Sequence, residues 1–393
     1  MAENILKTDV LVVGGGPGGG MAALASAYKN VSVTLIERKE VIGYPVRCGE
    51  GTMGVVLRTF GLEDGKWIAG EIDRIKFYPP RGKPAVVNGK ALGAVILDRG
   101  LFEQEIIRRC QERGAEVYTG KTVVSIQKDG ENRYLVGLDT GEVFQAKMVI
   151  GGDGVESMVG RKMGITRPLR PHQLGIAVQY RIKDGNWEKN VAEVFIGQEI
   201  IPDGYAWIFP KQDGTANVGI GSLGNCASGN ETIKSLLDRF IQKKGIGGKI
   251  VEEIAGAVPI ALPPQNVVRE KVALVGDAAR HSYSVGGGGI HSALFDGLVA
   301  GTKAREELLG RSKKNALHEY DVIWKKTYLR ALQRSARMKK RIYRSDKHTS
   351  FYVGMIRRLS PLFSVFPNTL LSLWWGPFFR EGKKWMELLE KNG

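Results

Sequence analysis

A chain of 393 residues with 43% apolar and 25% charged side chains is too long for one small core and too balanced to be disordered or fibrous, so two or three domains are expected. Three cysteines, Cys48, Cys110 and Cys226, exclude a disulfide framework and point to a reducing compartment. A formal net charge of +16 favours an anionic partner: nucleic acid, an anionic membrane surface or a phosphorylated substrate.

Residues 1–7 lack the charged and apolar regions of a signal peptide, so the chain is expected in the cytoplasm. The run Asp9-Val10-Leu11-Val12-Val13 predicts a buried parallel strand, and the small-residue run 21–27 predicts a helix. Between them Gly14, Gly16 and Gly19 stand at Gly-x-Gly-x-x-Gly spacing, with Pro17 and Gly18 completing the loop. The first glycine permits a tight turn, the second admits a pyrophosphate to the backbone, and the third lets helix and strand pack closely. The helix N-terminus offers unsatisfied N–H groups to the phosphates. Glu37 closes the next strand, followed by Arg38; an acid there takes ribose hydroxyls and argues against a 2′-phosphate. Both FAD and NAD satisfy this pattern.

Glycine and proline on both sides hold residues 43–51 in a rigid loop around Cys48, whose thiol stands between an activating Arg47 and an opposing Glu50. Residues 72–97 read as a hairpin excursion, and Asp98 as the N-cap of a helix running to Arg113. Short antiparallel strands are predicted over 123–126, 134–138 and 143–144. Met148-Val149-Ile150-Gly151-Gly152-Asp153-Gly154 then repeats the opening logic of strand, glycines and acid, with a helix over 155–163. Alternation over 173–221 predicts a half-exposed antiparallel sheet, completed by a helix over 231–243 and a strand over 250–258. Residues 272–277 return to a buried strand ending in Gly276-Asp277, before the glycine run 286–289 and a helix from Ile290.

The expected fold is therefore α/β. A Rossmann-like dinucleotide-binding domain is assembled from the discontinuous segments 1–75, 97–170 and 263–310. An antiparallel-sheet substrate domain takes 76–96 and 171–262, and a basic α-helical C-terminal region takes 311–393. Glu37, Asp153 and Asp277 end three buried strands, the edge of an open parallel sheet where ligands lie. So many strand ends suit the long FAD molecule better than NAD.

The fingerprint from Gly14 to Glu37, with Gly152-Asp153-Gly154 and Gly276-Asp277-Ala278-Ala279, resembles flavoproteins of the p-hydroxybenzoate hydroxylase fold. Arg47-Cys48-Gly49-Glu50 and Pro202-x-x-Tyr205-x-Trp207-x-Phe209-Pro210 look like the archaeal geranylgeranyl reductase branch, and the similarity covers almost the whole chain. The resemblance implies FAD as cofactor and, as reaction, saturation of C=C bonds in the geranylgeranyl chains of archaeal ether phospholipids by hydride from reduced flavin plus a proton. It implies that Gly14, Gly16, Pro17, Gly18 and Gly19 cradle FAD, that Glu37 and Arg38 lie at the adenosine ribose, and that Val123 meets the adenine through its backbone. Arg99 would lie near the phosphates or ribityl chain, Asp153, Gly154 and Gly276 along the cofactor, and Asp277 on a ribityl hydroxyl. Gly287, Gly288, Gly289 and Ile290 would aim N–H groups at the flavin ring, with Arg47, Cys48 and Gly49 over it. Tyr205, Trp207 and Phe209 share one strand face and would line a prenyl tunnel. Trp207 would steady developing positive charge, and Cys48, Tyr205 or a water would give the proton. The chain departs from the family at Ser284, where relatives usually carry proline, at Gly286, often threonine, and in lacking a C-terminal cysteine pair.

No metal-ligand spacing occurs, and His281 and His291 read as satisfied loop histidines. With the one complete fingerprint taken by FAD, electrons would come from transiently bound NAD(P)H, from ferredoxin or from a deazaflavin. Residues 325–347 hold ten Lys or Arg against one acid, Asp346, and residues 359–379 hold no charge. Pro361, Pro367 and Pro377 argue against a spanning helix, so the tail reads either as a lid packed on the substrate domain or as a segment lying peripherally on an anionic bilayer at the inner face of the cell membrane. No nucleic-acid fold accompanies the basic residues. An aromatic monooxygenase of the same fold and a non-catalytic membrane electron carrier are the alternatives.

Overall fold

The structure, a computed structural model, describes residues 5–130, 133–224, 231–312, 315–365 and 367–391, with side chains described except over 363–376. Cys226 and the side chains of Trp374 and Trp375 lie outside the described residues.

Continuous apolar runs build the centre of an eight-stranded sheet. Strands Val272–Leu274, Val143–Gly151, Ile5–Val13, Val33–Ile36 and Glu116–Tyr118 lie side by side in parallel. Their inner residues, among them Leu11, Val12, Leu35, Ile150 and Leu274, are fully buried, as a sheet covered on both faces requires. Val143–Gly151 is one strand, where the sequence predicts an antiparallel piece over 143–144 and a separate parallel run from 148. Its first half also pairs with the antiparallel hairpin strand Tyr134–Leu138, so one face there is wet and the pattern alternates.

Helix Pro17–Ser26 packs on this sheet, and helix Ile290–Leu308 crosses it at glycine contacts. A Cβ at Gly297 would stand 2.2 Å from the carbonyl of Gly18, and one at Gly301 2.4 Å from that of Ala22. Both helices begin at the carboxyl edge of the sheet, so both N-termini face the same groove.

A seven-stranded sheet forms the second layer, in the order Lys249–Pro259, Leu174–Lys183, Thr215–Leu223, Gly204–Pro210, Val191–Ile196, Arg74–Tyr78 and Ala85–Asn88. The hairpin from 74 to 88 is the predicted excursion; it joins by a parallel pairing, Val191–Ile196 with Arg74–Tyr78, in an otherwise antiparallel sheet. Strand Thr215–Leu223 is buried throughout, not half exposed as alternation suggests. Leu236, Leu237 and Phe240 of helix Ile233–Lys244 cover one face of this sheet. The Cys48 loop and the cavity below it lie on the other. A three-stranded sheet, Gly51–Met53, Ala94–Leu97 and Ile68–Glu71, links the two layers.

The C-terminal region is helical, as expected, and is stitched into the flavin-side core. Tyr320, Trp324 and Tyr328 are buried, and Phe378 of helix Pro367–Lys391 packs against Phe60, Phe295 and Tyr328. Pro361 and Pro377 lie inside helices. Among the described residues, no helix is long and apolar enough to cross a membrane.

Candidate active site

The groove at the carboxyl edge of the parallel sheet is built by close backbone approach. Gly14, at φ 101°, would clash with the carbonyl of Gly152 at 2.4 Å if it carried a Cβ, and Gly19 would meet the carbonyl of Gly14 at 1.8 Å. At Gly16 the Cβ position is empty space, and this residue caps helix Pro17–Ser26 without any side-chain acceptor. The backbone there is open to a ligand and the helix N–H groups are unclaimed.

Glu37 is nearly buried, and its two carboxylate oxygens accept from the N–H groups of Gly15 at 2.6 Å and Lys39 at 2.9 Å, which fixes the acid across the mouth of the glycine loop. The N–H of Lys121 donates to the Glu37 carbonyl at 3.1 Å, bringing the backbone that leads into Val123 to the same end. Arg38 points to the surface and pairs with Glu156 at 3.5 Å. The Asp153 carboxylate accepts from Ser157 Oγ at 2.8 Å and Val159 N–H at 2.9 Å. Burial pushes this carboxyl up, against those hydrogen bonds. It supports the first turn of the short helix Met158–Lys162, whose N-cap is Ser157 and which replaces the longer helix predicted over 155–163; its neighbour Gly154, at φ 78°, has open space at its Cβ position.

At the other end Arg99 opens helix Arg99–Glu112 with its guanidinium on Glu103. Burial works against that charge, but Glu103 and Cys48 hold it above the ordinary arginine range. Its Nε is buried with no partner among the described residues. Burial pushes the Asp277 carboxyl up to about 6, opposed by Arg99 and His281. Asp277 Oδ1 lies 3.2 Å from the Cβ position of Gly289, the uncapped start of helix Ile290–Leu308, and the Cβ positions of Gly286 and Gly288 are empty space. An orphaned guanidinium nitrogen, a desolvated acid and an open glycine run fit a phosphate, a hydroxyl-rich chain and a ring edge in that order, as FAD requires.

The Cys48 loop is clamped from three sides. Glu50, itself at φ 70°, accepts from Arg99 N–H at 2.8 Å on one oxygen and from Lys211 Nζ and Asn217 Nδ2, both at 2.6 Å, on the other. Gln179 Nε2 donates to the Cys48 carbonyl at 2.9 Å while its Oε1 accepts from Trp207 Nε1 at 3.2 Å. Glu50 N–H donates to Cys48 Sγ at 3.2 Å.

Below the loop is an apolar cavity of about 420 Å³. It gathers Arg47, Cys48 and Gly49, the row Tyr205, Trp207 and Phe209, and Gly287, Gly288, Gly289 and Ile290. The aromatic rings follow one another at centroid distances of 5.6 and 6.2 Å. Tyr205 donates its hydroxyl to the Gly286 carbonyl at 2.7 Å, tying strand Gly204–Pro210 to the glycine run. His291 also lines the cavity, its ring tilted against that of Tyr283 with centroids 4.9 Å apart, and burial pulls its imidazole down to about 4.

Behind the Asp277 turn, Asp296 accepts from Gly276 N–H at 2.9 Å and lies 2.7 Å from His281 Nδ1, with the Tyr328 hydroxyl on both. His281 is thus buried and held through Nδ1, while its Nε2 has no partner among the described residues, so it is only half satisfied, against the expectation of a satisfied histidine. Gln179, Lys211, Asn217, Asp296 and Arg181, whose guanidinium lies 3.6 Å from Glu50, are the site residues the sequence reading missed, and it read Glu50 only as a charge opposing the thiol. The available signal was polar residues at inward positions of otherwise apolar strands and helices. Among the described residues no His, Cys, Asp or Glu cluster could hold a metal.

A parallel sheet with two free helix N-termini at one groove, opening through a cysteine loop onto an apolar cavity roofed by an antiparallel sheet, defines a flavin-dependent oxidoreductase. A family model described as an FAD binding domain matches residues 7–198, and one described as the geranylgeranyl reductase catalytic domain matches residues 173–258. The chain is 38% identical over 330 residues to the digeranylgeranylglycerophospholipid reductase of Methanosarcina acetivorans, covering 81% of each chain. It is 34% identical over 341 residues to that of Methanothrix thermoacetophila, covering 85% of this chain and 87% of the relative. The chain belongs to the digeranylgeranylglycerophospholipid reductase family. Its fold matches the crystal structure of a geranylgeranyl bacteriochlorophyll reductase-like protein from Thermoplasma acidophilum with a TM-score of 0.81 at 26% identity, covering 97% of this chain and all of that one. It matches p-nitrophenol 4-monooxygenase from Pseudomonas putida with a TM-score of 0.73 at 18% identity over 96% of this chain and 99% of that one, a likeness of fold alone.

Proposed function

We propose that this chain is an FAD-dependent reductase that saturates C=C bonds in the geranylgeranyl chains of a digeranylgeranyl glycerophospholipid. The observation that carries the reading is one apolar cavity whose wall contains the Cys48 loop, the glycine-led helix start and the aromatic row together. When bound and reduced, FAD supplies the hydride; the chain's own residues supply position, dryness and the proton. Glu37, Arg99 and Asp277 would hold the cofactor along the groove, and the N-terminus of helix Ile290–Leu308 favours negative charge at the cavity end.

An isolated alkene that takes up a proton develops positive charge on carbon. The faces of Trp207 and Phe209 stabilise that charge by about 0.5–2 kcal/mol each where water is excluded. Cys48 is the proton donor in this reading. Burial pushes the Tyr205 hydroxyl up to about 12, and its O–H is committed to Gly286, whereas the Cys48 sulfur accepts from Glu50 N–H and has its S–H to give.

The Gly-x-Gly-x-x-Gly spacing recurs at Gly49, Gly51 and Gly54, across the antiparallel strand Gly51–Met53, and at Gly219, Gly221 and Gly224, in the antiparallel strand Thr215–Leu223 and its end. Only Gly14, Gly16 and Gly19 lead from a parallel strand into a helix, so in this reading the reducing equivalents come from a transient donor, NAD(P)H, ferredoxin or a deazaflavin. Helix Asp346–Val365 exposes a row of Phe351, Met355, Leu359 and Leu362 beside Arg357 and Arg358, which supports peripheral contact with an anionic bilayer.

The test is anaerobic incubation of the dithionite-reduced holoprotein with a digeranylgeranyl phospholipid, read by mass spectrometry. A gain of about two mass units per saturated bond is expected. Oxygen incorporation in air with NAD(P)H, and no saturation without it, would make the chain a monooxygenase instead.

A further inference from the structure

Leu223 closes one end of the catalytic cavity, and on its other side the structure forms a second recess of about 310 Å³; Leu223 is the residue that lines both. The recess is basic. Lys339, Lys340 and Arg344 line it with His172, against the single acid Asp203. None of the three cations makes an ion pair within 4 Å among the described residues.

Two lysines in the last turn of helix Arg330–Ile342 would by themselves only complement the helix dipole. Lys339 does more than that. A Cβ at Gly224 would lie 3.1 Å from its Nζ, so the ammonium is tucked over a glycine that leaves room for it, and Gly224 takes a φ of 113° to do so. Burial pulls this lysine below its ordinary range, with Lys340 acting in the same direction and Asp203 opposing. The half-buried ammonium feels Asp203 across the recess but has no carboxylate within 4 Å among the described residues, so it lacks the close counter-charge that a partly desolvated cation favours.

The recess is also coupled to the reaction cavity. Tyr343, buried between the two, donates its hydroxyl to the Val285 carbonyl at 3.0 Å, and the next residue, Gly286, accepts from Tyr205 at 2.7 Å. A ligand seated among the cations therefore lies one residue layer from the aromatic row.

We propose that this recess binds the phosphate of the prenylated lipid through Lys339, Lys340 and Arg344, while a prenyl chain passes Leu223 into the catalytic cavity. The proposal rests on the reductase reading above and deepens it by giving the lipid a polarity. Free inorganic phosphate has the same chemistry, so both are tested.

The experiment compares the holoenzyme with the double variant Lys339→Met/Arg344→Ala on two substrates, digeranylgeranylglyceryl phosphate and its phosphate-free alcohol, digeranylgeranylglycerol. For the variant, KM for the phosphorylated lipid is expected to rise about tenfold or more, the loss of one or two charge-assisted hydrogen bonds. Its kcat, and both constants for the alcohol, are expected to stay as in the parent. Inorganic phosphate is expected to compete with the phosphorylated lipid in the parent and not in the variant. Equal shifts for both lipids, no shift for either, or unaltered competition by inorganic phosphate in the variant would overturn the proposal. Calorimetric binding of the same two lipids to the oxidised holoenzyme reads the recess separately from chemistry. If neither lipid is reduced, the reductase reading fails, while a Kd for the phosphorylated lipid that depends on Lys339 and Arg344 still upholds the anion site and one that does not still removes it.

Discussion

The ammonium of Lys211 lies 2.6 Å from Oε2 of Glu50, and neither side chain has more than 2% exposure. The pair joins the end of strand Gly204–Pro210 to the residue that follows the Cys48-Gly49 turn, with Arg181 3.6 Å from the same oxygen. Removing one partner strands the other charge in a low-dielectric interior, whereas removing both does not. Glu50→Ala is therefore expected to destabilise the protein by about 3–5 kcal/mol and to loosen FAD, since Arg99 N–H loses its acceptor as well. The double variant Glu50→Gln/Lys211→Met should regain most of that stability. Denaturant midpoints and FAD affinity of the three proteins check this, and a double variant no more stable than Glu50→Ala would show that the pair is not the clamp.

Asp277 gives the groove a pH signature. Burial pushes its carboxyl from the ordinary 3.8 up to about 6, so folding of the apoprotein favours the protonated form. That contribution to stability is complete below the unfolded value and is lost as pH rises through the folded one. At 1.36 kcal/mol per unit, the loss is at most about 3 kcal/mol by neutral pH. Asp277→Asn is expected to stabilise the apoprotein relative to the parent at pH 7 and not at pH 3.5, and to weaken FAD retention. Thermal melts of both apoproteins across that range test the sign.

The opening strand, glycine loop, helix and acid were legible because Gly14 and Gly19 are sterically required by close backbone contacts and Gly16 leaves the space a ligand would use. The aromatic row was legible because period two puts Tyr205, Trp207 and Phe209 on one face. Glu50 was not, since its meaning depends on Lys211 and Asn217, which lie more than 150 residues away in sequence and meet it only through the sheet. That Asp153 also holds the start of the next helix was not legible, because it depends on Ser157 and the N–H of Val159 coming round to its carboxylate. The split of Val143–Gly151 into two strands followed a real change of period, from alternating to fully buried, that marks where an antiparallel neighbour gives way to parallel ones on both sides.

Cys48 and Tyr205 separate by mutation. Cys48→Ala removes the proposed proton donor and leaves the backbone contacts of Gln179 in place, so reduction should fall roughly 10²–10⁴-fold with FAD content unchanged. Tyr205→Phe removes a hydrogen bond to Gly286 worth about 1 kcal/mol and should cost less than tenfold in rate, with a small change in the flavin spectrum. Single-turnover decay of reduced flavin on mixing with lipid gives both numbers. The reverse order, a large loss for Tyr205→Phe and a small one for Cys48→Ala, would move the proton to the phenol.

The exposed row on helix Asp346–Val365 bears on how a bilayer lipid reaches the cavity. Phe351 is 63% exposed and Met355, Leu359 and Leu362 are each above 40%; spaced three or four residues apart, they form one stripe. Phe351 and Leu359 are packed on none of the buried clusters, so polar replacements there leave the core intact. Phe351→Ser/Leu359→Ser is expected to lower flotation with anionic vesicles about tenfold or more, from the loss of roughly 1.5–3 kcal/mol per buried side chain, while the melting temperature and turnover of detergent-dispersed lipid hold. Raising the salt concentration should weaken the parent's binding further, because the Lys and Arg residues around the stripe are screened while the apolar term is not. Flotation that ignores both the variant and the lipid charge would place the lipid-entry surface elsewhere on the protein.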